Sequence, residues 1–119
     1  MRDPIQPCVY ILASRRNGTL YTGVTGDLVR RVAVHRASTA GFCARYRVHR
    51  LVYFEMHGRM EDAILREKRV KRWRRAWKLA LIEGINSDWQ DLYCALRAGE
   101  LDLSRFANPP LRGDRKTVE

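Results

Sequence analysis

Short apolar runs and longer stripes of helical period alternate along the chain. Cys8 to Ala13 (CVYILA) and Leu20 to Thr25 (LYTGVT) are two such runs, rich in β-formers and too short for helices. Asn17-Gly18 between them is the dipeptide that most readily supplies positive φ angles, so the pair reads as a β-hairpin with a connection longer than two residues. From Leu28 the period changes. Leu28 and Val32 recur at helical spacing, and Thr25 or Asp27 is placed to cap the helix. Ala37 to Arg47 has no clear period and reads as a loop. Leu51 to Met56 (LVYFEM) is a third strand, apolar on both faces, which predicts a central strand covered on both sides in a helix–sheet–helix sandwich.

A long helix starts at about Arg59, with Met60, Ala63, Ile64, Glu67, Val70 and Lys71 on one stripe. The stripe shifts near Arg75-Ala76, where the helix breaks before resuming to Ile82, with Gly84 as its C-cap. Ser87-Asp88-Trp89-Gln90 has capping-box form, and Trp89, Leu92, Tyr93 and Leu96 continue at helical spacing, giving a C-terminal helix over residues 87–98 that stops at Gly99. The expectation is one domain over residues 5–99, since 119 residues support a single modest core. Residues 100–119 form a tail, expected to be disordered from Asn108 onward.

Against this frame a few residues stand out for their chemistry. Each hairpin strand carries a tyrosine, Tyr10 and Tyr21, and the hairpin can bring the two phenols together. The next helix aligns Arg31 and His35 at i, i+4 on one face. Glu67 lies amid residues that face the core, where an unpaired carboxylate costs several kcal/mol. It calls for a compensating cation: a metal ion, or Lys71 one turn on.

The formal net charge of +10 favours a polyanionic partner over a neutral metabolite. From Arg66 to Lys78 (REKRVKRWRRAWK) stand eight basic residues, one acid and two tryptophans, a one-signed run whose self-repulsion phosphates would relieve. Arg69, Lys71, Arg72 and Arg75 are its candidate phosphate contacts. Arg45 and Arg47 flank Tyr46 in a second basic–aromatic patch, which suits either a nucleic-acid backbone or a solvated connection with its tyrosine at the core edge. Trp73 and Trp77, four apart, form an apolar ridge better suited to the core than to base stacking. Cys8, Cys43 and Cys94 have no C-x-x-C spacing and read as reduced thiols, forming neither a disulfide nor a zinc site. No apolar run approaches the ~20 residues of a membrane helix. Met1-Arg2-Asp3-Pro4 lacks the apolar segment of a secretory signal, so a cytoplasmic location is expected.

Taken together these residues resemble the GIY-YIG nuclease superfamily. Cys8-Val9-Tyr10 stands as the first tripeptide and Tyr21-Thr22-Gly23 as the second, with Cys8 for glycine and Thr22 for isoleucine as departures that leave both tyrosines in place. Arg31 follows Tyr21 at the family's spacing, and Glu67 stands where its metal-binding acid is expected. The match runs from about Pro7 to Glu83, the expected catalytic core at residues 7–83, and is most similar to the small stand-alone bacterial members.

The resemblance implies an α/β (α+β) GIY-YIG fold, a three-stranded antiparallel sheet with helices on both sides. It implies a metal-dependent DNA endonuclease using Tyr10, Tyr21, Arg31, His35 and Glu67, with Glu67 holding Mg²⁺ or Mn²⁺ and no organic cofactor. In that reading Tyr10 accepts a proton as phenolate, favoured by Arg31 and the cation, and Arg31 clamps the phosphoryl oxygens. Tyr21 binds the phosphate or orients the water, and His35 assists. Asn86 corresponds loosely to a family asparagine, and a cap or loop role suits it equally. The expected enzyme is a monomer acting on single-stranded or structured DNA in repair or recombination. Two other classes remain open: a catalytically silent nucleic-acid-binding module using the same basic face, and a protein-binding adaptor, favoured if the tryptophans are exposed.

Overall fold

The hairpin forms where the apolar runs place it. β1 (Cys8–Ala13) and β2 (Leu20–Thr25) pair antiparallel, with Tyr10 opposite Gly23 and Leu12 opposite Tyr21. The structure, a computed structural model, describes residues 5–107. Of the turn dipeptide only Asn17 takes a positive φ, at 58°, while the Ser14 backbone N–H donates to Thr19 O and Ser14 Oγ accepts from the Thr19 N–H. Asp27, not Thr25, caps α1 (Leu28–Ala37) by accepting from the Arg30 N–H. Thr25 Oγ1 in turn accepts from the Asp27 N–H.

The segment expected as a loop contains a short helix, α2 (Phe42–Tyr46), between Gly41 at φ 93° and Arg47 at φ 57°. Five residues are too few to show a period. Buried Cys43 pins this turn from beneath, and the Val48 N–H donates to its carbonyl at 2.8 Å.

β3 (Arg50–Met56) completes a three-stranded antiparallel sheet in the order β2-β1-β3, so β1, and not β3, is the central strand. β3 is apolar on both faces because its rim is covered too. Leu51 O accepts from the Leu92 N–H, the Leu51 N–H donates to Asp91 Oδ1, Val52 O accepts from Asn86 Nδ2, and Met56 bridges to Ala107. A strand sealed along its outer edge by chain segments reads like a central one.

α3 (Met60–Arg72) breaks at Trp73 and resumes as α4 (Arg75–Ile85), two residues earlier than the stripe suggested. α4 runs through Gly84 to Ile85, with Asn86 at its C-cap. The C-terminal helix, α5 (Tyr93–Ala98), begins well after the apparent capping box at Ser87. There Trp89 is fully buried at φ 56°, its indole N–H donating to Glu83 Oε2 at 2.8 Å, and this anchored turn replaces the first helical turns. Past Gly99 the chain is still packed: Phe106, in a short 3₁₀ turn (Leu103–Phe106), stacks on Phe54 with ring centroids 4.1 Å apart. The stretch expected to be disordered, from Asn108, lies outside the described residues.

Helices cover both faces. One core layer gathers Tyr10, Leu12, Val32, Phe54 and Phe106 beneath α1 and α5, and the other gathers Ile11, Tyr53, Val70, Ile82 and Trp89 beneath α3 and α4. Trp73 and Trp77 meet edge to face at 5.9 Å, Trp73 half-buried and Trp77 40% exposed, so the ridge is core on one side and surface on the other. No helix among the described residues is long and apolar enough to cross a membrane.

Candidate active site

Antiparallel pairing puts Tyr10 and Tyr21 on one face as diagonal neighbours, and their ring centroids lie 6.3 Å apart. Tyr10 is fully buried, and its ring occupies the space above the residue opposite it. A Cβ on Gly23 would stand 2.5 Å from Tyr10 Cζ and Oη. That close approach is the reason for a glycine at the end of the second motif.

α1 supplies the polar partners. Arg31 and His35 sit one turn apart, and the Tyr10 hydroxyl lies 3.0 Å from His35 Nε2. The Arg31 guanidinium reaches the same hydroxyl. Tyr21 completes the group, its ring edge-on to the imidazole at 5.2 Å. Tyr10 and Arg31 therefore meet on the same side of the sheet.

Burial pushes the Tyr10 phenol well above its ordinary value, helped by neighbouring Tyr21, and the charge and hydrogen bond of Arg31 only partly offset this. The protein's own groups thus hold Tyr10 as a neutral phenol, and the phenolate implied by the family resemblance draws on the cation as well as Arg31. Burial, then Arg31, then His49 lower His35, so its imidazole is neutral. Two neutral groups at this distance share one proton, and when the phenol donates to Nε2 the imidazole's own proton sits on Nδ1. His49 had no signal in the sequence, because only the fold brings it toward His35.

Glu67 lies on α3, which packs on the opposite face of the sheet against β2 and β1. Its residue is 7% exposed, and its Oε2 pairs with Lys71 Nζ at 2.8 Å. The carboxylate is buried, as its place in the core-facing stripe predicts, and the cation beside it is its i, i+4 partner Lys71. Glu67 raises Lys71, and Tyr21 adds to that shift, so the Glu67–Lys71 pair lies within electrostatic reach of Tyr21 beside β2.

As a metal ligand Glu67 offers one hard oxygen pair, whose present counter-ion is the half-exposed Lys71 ammonium. Among the described residues no three His, Cys, Asp or Glu side chains gather into a cage. This donor set fits a hydrated Mg²⁺ or Mn²⁺ that keeps most of its waters, and it does not fit zinc.

The other candidates divide. Arg45 and Arg47 are exposed at α2, and Arg69 and Arg72 project from α3 into solvent. Lys71 is engaged by Glu67. Arg75 Nη2 donates to Asn17 O at 2.9 Å and Gly18 O at 2.7 Å, so this guanidinium holds the hairpin turn. Asn86 is buried and satisfied as a cap, donating to Val52 O and Gln90 O and accepting from the Gln90 N–H.

One buried charge escaped sequence reasoning. Glu55, 2% exposed in β3, accepts from Tyr53 Oη at 2.5 Å, His57 Nε2 at 2.7 Å and Arg66 Nε at 2.9 Å. Burial opposes its ionisation, but the His57 hydrogen bond, the Arg66 charge and the Tyr53 hydroxyl outweigh it and keep the carboxyl below its ordinary value. Arg66 precedes Glu67, so this clamp fixes the rotation of α3 that turns Glu67 inward. A lone acid within the apolar run LVYFEM was the available signal.

A sheet with a tyrosine on each hairpin strand, and an arginine and histidine of the next helix gathered on them, defines the class. Residues 6–80 match the GIY-YIG catalytic domain, and the chain belongs to that family of nucleases, whose members typically use a divalent metal. It is 39% identical over 79 residues to a UPF0213 protein of Staphylococcus haemolyticus, an alignment covering 63% of this chain and 92% of that one. A UPF0213 protein of Bacillus halodurans, known from a solution NMR structure, is 30% identical with a TM-score of 0.47, covering 73% of this chain and 93% of its own.

Proposed function

We propose that this protein is a divalent-metal-dependent DNA endonuclease, a cytoplasmic monomer that hydrolyses phosphodiester bonds in single-stranded or structured DNA during repair or recombination. The observation that carries the reading is the convergence of Tyr10, Tyr21, Arg31 and His35, with the Tyr10 hydroxyl 3.0 Å from His35 Nε2. A silent binding module needs neither that bond nor a buried Glu67.

The neutral dyad suits proton removal from the attacking water without a standing phenolate. As the water attacks phosphorus, the Tyr10 oxygen takes its proton and passes its own to His35 Nε2, leaving imidazolium beside a phenol. Arg31 faces the charge that grows on the non-bridging oxygens, and Tyr21 holds one of them or aligns the water. Glu67 would hold the Mg²⁺ or Mn²⁺, which when bound supplies positive charge for the phosphate and the departing 3′-oxygen. Release of Lys71 from Glu67 as the metal enters would free a second cation for the DNA backbone.

Glu67→Gln tests this reading. It keeps the side-chain size, removes the charge, and should abolish cleavage together with the rise in melting temperature on adding Mg²⁺ or Mn²⁺. Stability without metal should stay level or rise, because losing a half-exposed pair removes only ~0.3–0.5 kcal/mol and a buried charge goes with it. A variant that still cuts DNA and still responds to metal would remove Glu67 from the site.

A further inference from the structure

The row of aromatic rings does not end at Tyr21. Phe42 follows at 6.2 Å between centroids, inclined by 35°, and Tyr46 follows Phe42 at 4.9 Å. Both outer rings are conspicuously open, Phe42 47% and Tyr46 46% exposed. The Arg45 guanidinium lies 5.7 Å from the Tyr46 ring centre, and the rings border a surface hollow of about 600 Å³ together with Gly41 and Ala44. A five-residue helix that buries Cys43 also turns about half of each of two aromatic rings, in tilted contact at 44°, toward solvent. Isolated surface aromatics are ordinary, but two in contact, continuous with a tyrosine of the site and bordered by arginines, form a surface for planar, anionic ligands.

We infer that Phe42 and Tyr46 are a stacking platform for an unpaired nucleobase flanking the scissile phosphate, which makes single-stranded or frayed DNA the substrate. The inference rests on the nuclease reading and names the substrate class of that same site. A base inside a duplex is covered on both faces by its neighbours and cannot lie on these rings. An unpaired base stacks on Phe42 and Tyr46 while Arg45 and Arg47 meet its phosphates. The ring row then leads the strand toward Tyr21 and Arg31.

The test measures binding separately from cleavage. Wild-type protein in EDTA is titrated into a single-stranded oligonucleotide carrying one 2-aminopurine, whose fluorescence reports stacking, and into the duplex made from the same strand. The variants are Phe42→Ala/Tyr46→Ala and Phe42→Leu/Tyr46→Leu, the second keeping apolar volume without a ring. Both variants should bind the single strand at least about tenfold more weakly, from base–aromatic stacking of ordinary strength. The 2-aminopurine signal should be lost, and duplex affinity should stay within about twofold. Cleavage of single-stranded DNA with Mg²⁺ should fall in parallel. If the alanine pair lowers the melting temperature, the leucine pair decides. Unchanged single-strand affinity, or equal losses for single strand and duplex, overturns the platform. Wild-type protein that cuts no DNA yet loses single-strand binding in both variants overturns the nuclease reading and leaves the platform standing.

Discussion

Gly23→Ala asks whether the site depends on the space above that residue. The added methyl would stand 2.5 Å from Tyr10 Cζ and Oη and 2.9 Å from Cε1. Carbon atoms pack at about 3.5–4.0 Å, so the ring must retreat by roughly 1 Å. The 3.0 Å bond from the Tyr10 hydroxyl to His35 Nε2 would then open to about 4 Å, outside hydrogen-bonding distance. Overpacking of this kind destabilises by about 1–3 kcal/mol, and a 1 Å misplacement of a reacting group lowers turnover by about 10²-fold. Denaturant titration and kcat/KM on a labelled oligonucleotide read the two effects. Gly84→Ala is the control: it lies inside α4 with no atom within 4 Å of the new methyl, and should stabilise by about 0.5–1 kcal/mol at unchanged activity. A Gly23→Ala protein with wild-type kcat/KM would refute the claim that Tyr10 must lie where the glycine allows it.

Arg31→Ala should lower kcat by about 10²–10³-fold, the loss expected for one group aimed at transition-state charge, while Arg30→Ala, about 100° around α1, should be much milder; equal losses would reduce Arg31 to general basicity. DNA affinity should fall steeply with salt, with a log–log slope of roughly 0.7–0.9 per neutralised phosphate, and Arg69→Ala/Arg72→Ala should flatten it. Arg75 is left out of that pair because it holds the hairpin turn, and a salt-independent affinity would exclude the basic helix as the binding face. His35 is depressed below 6.5 in the folded protein, so on acidification the unfolded chain takes up its proton first. Wild-type protein should therefore lose melting temperature relative to His35→Gln as pH falls from about 7.5 through 6.5 toward the folded value, and a constant difference would contradict a neutral His35.

The parts of the fold written in local signals were legible. Asn17-Gly18 between two β-rich runs placed β1 and β2 to the residue, and the 3.6-residue period after Asp27 placed α1 but for Ala37, read as loop, and with them the approach of Tyr10, Tyr21, Arg31 and His35. What local signals cannot carry was missed or misjudged. β3 looked central because Asn86, Asp91 and Leu92 bond to its rim from some forty residues away. α2 is shorter than any period. The helix expected from Ser87 starts at Tyr93, because burying the Trp89 indole against Glu83 outweighs a capping pattern. Glu55 and Arg66 are eleven residues apart on different elements, a pairing only the tertiary structure creates. The charge state of Tyr10 belongs to the same class: the motif supplies the phenol and the arginine, but the depth of burial decides which form is held.

The sealed rim of β3 also governs how this sheet can meet a second copy of itself. An open strand edge invites pairing with another chain, and β3 has given its rim groups to Asn86, Asp91, Leu92 and Ala107. Within the sheet of the described residues, strand addition is left to β2, the other edge. That strand carries Tyr21 and Gly23. A copy docked there would lie alongside Tyr21, so on the proposed nuclease reading a strand-paired dimer would compete with DNA for the site.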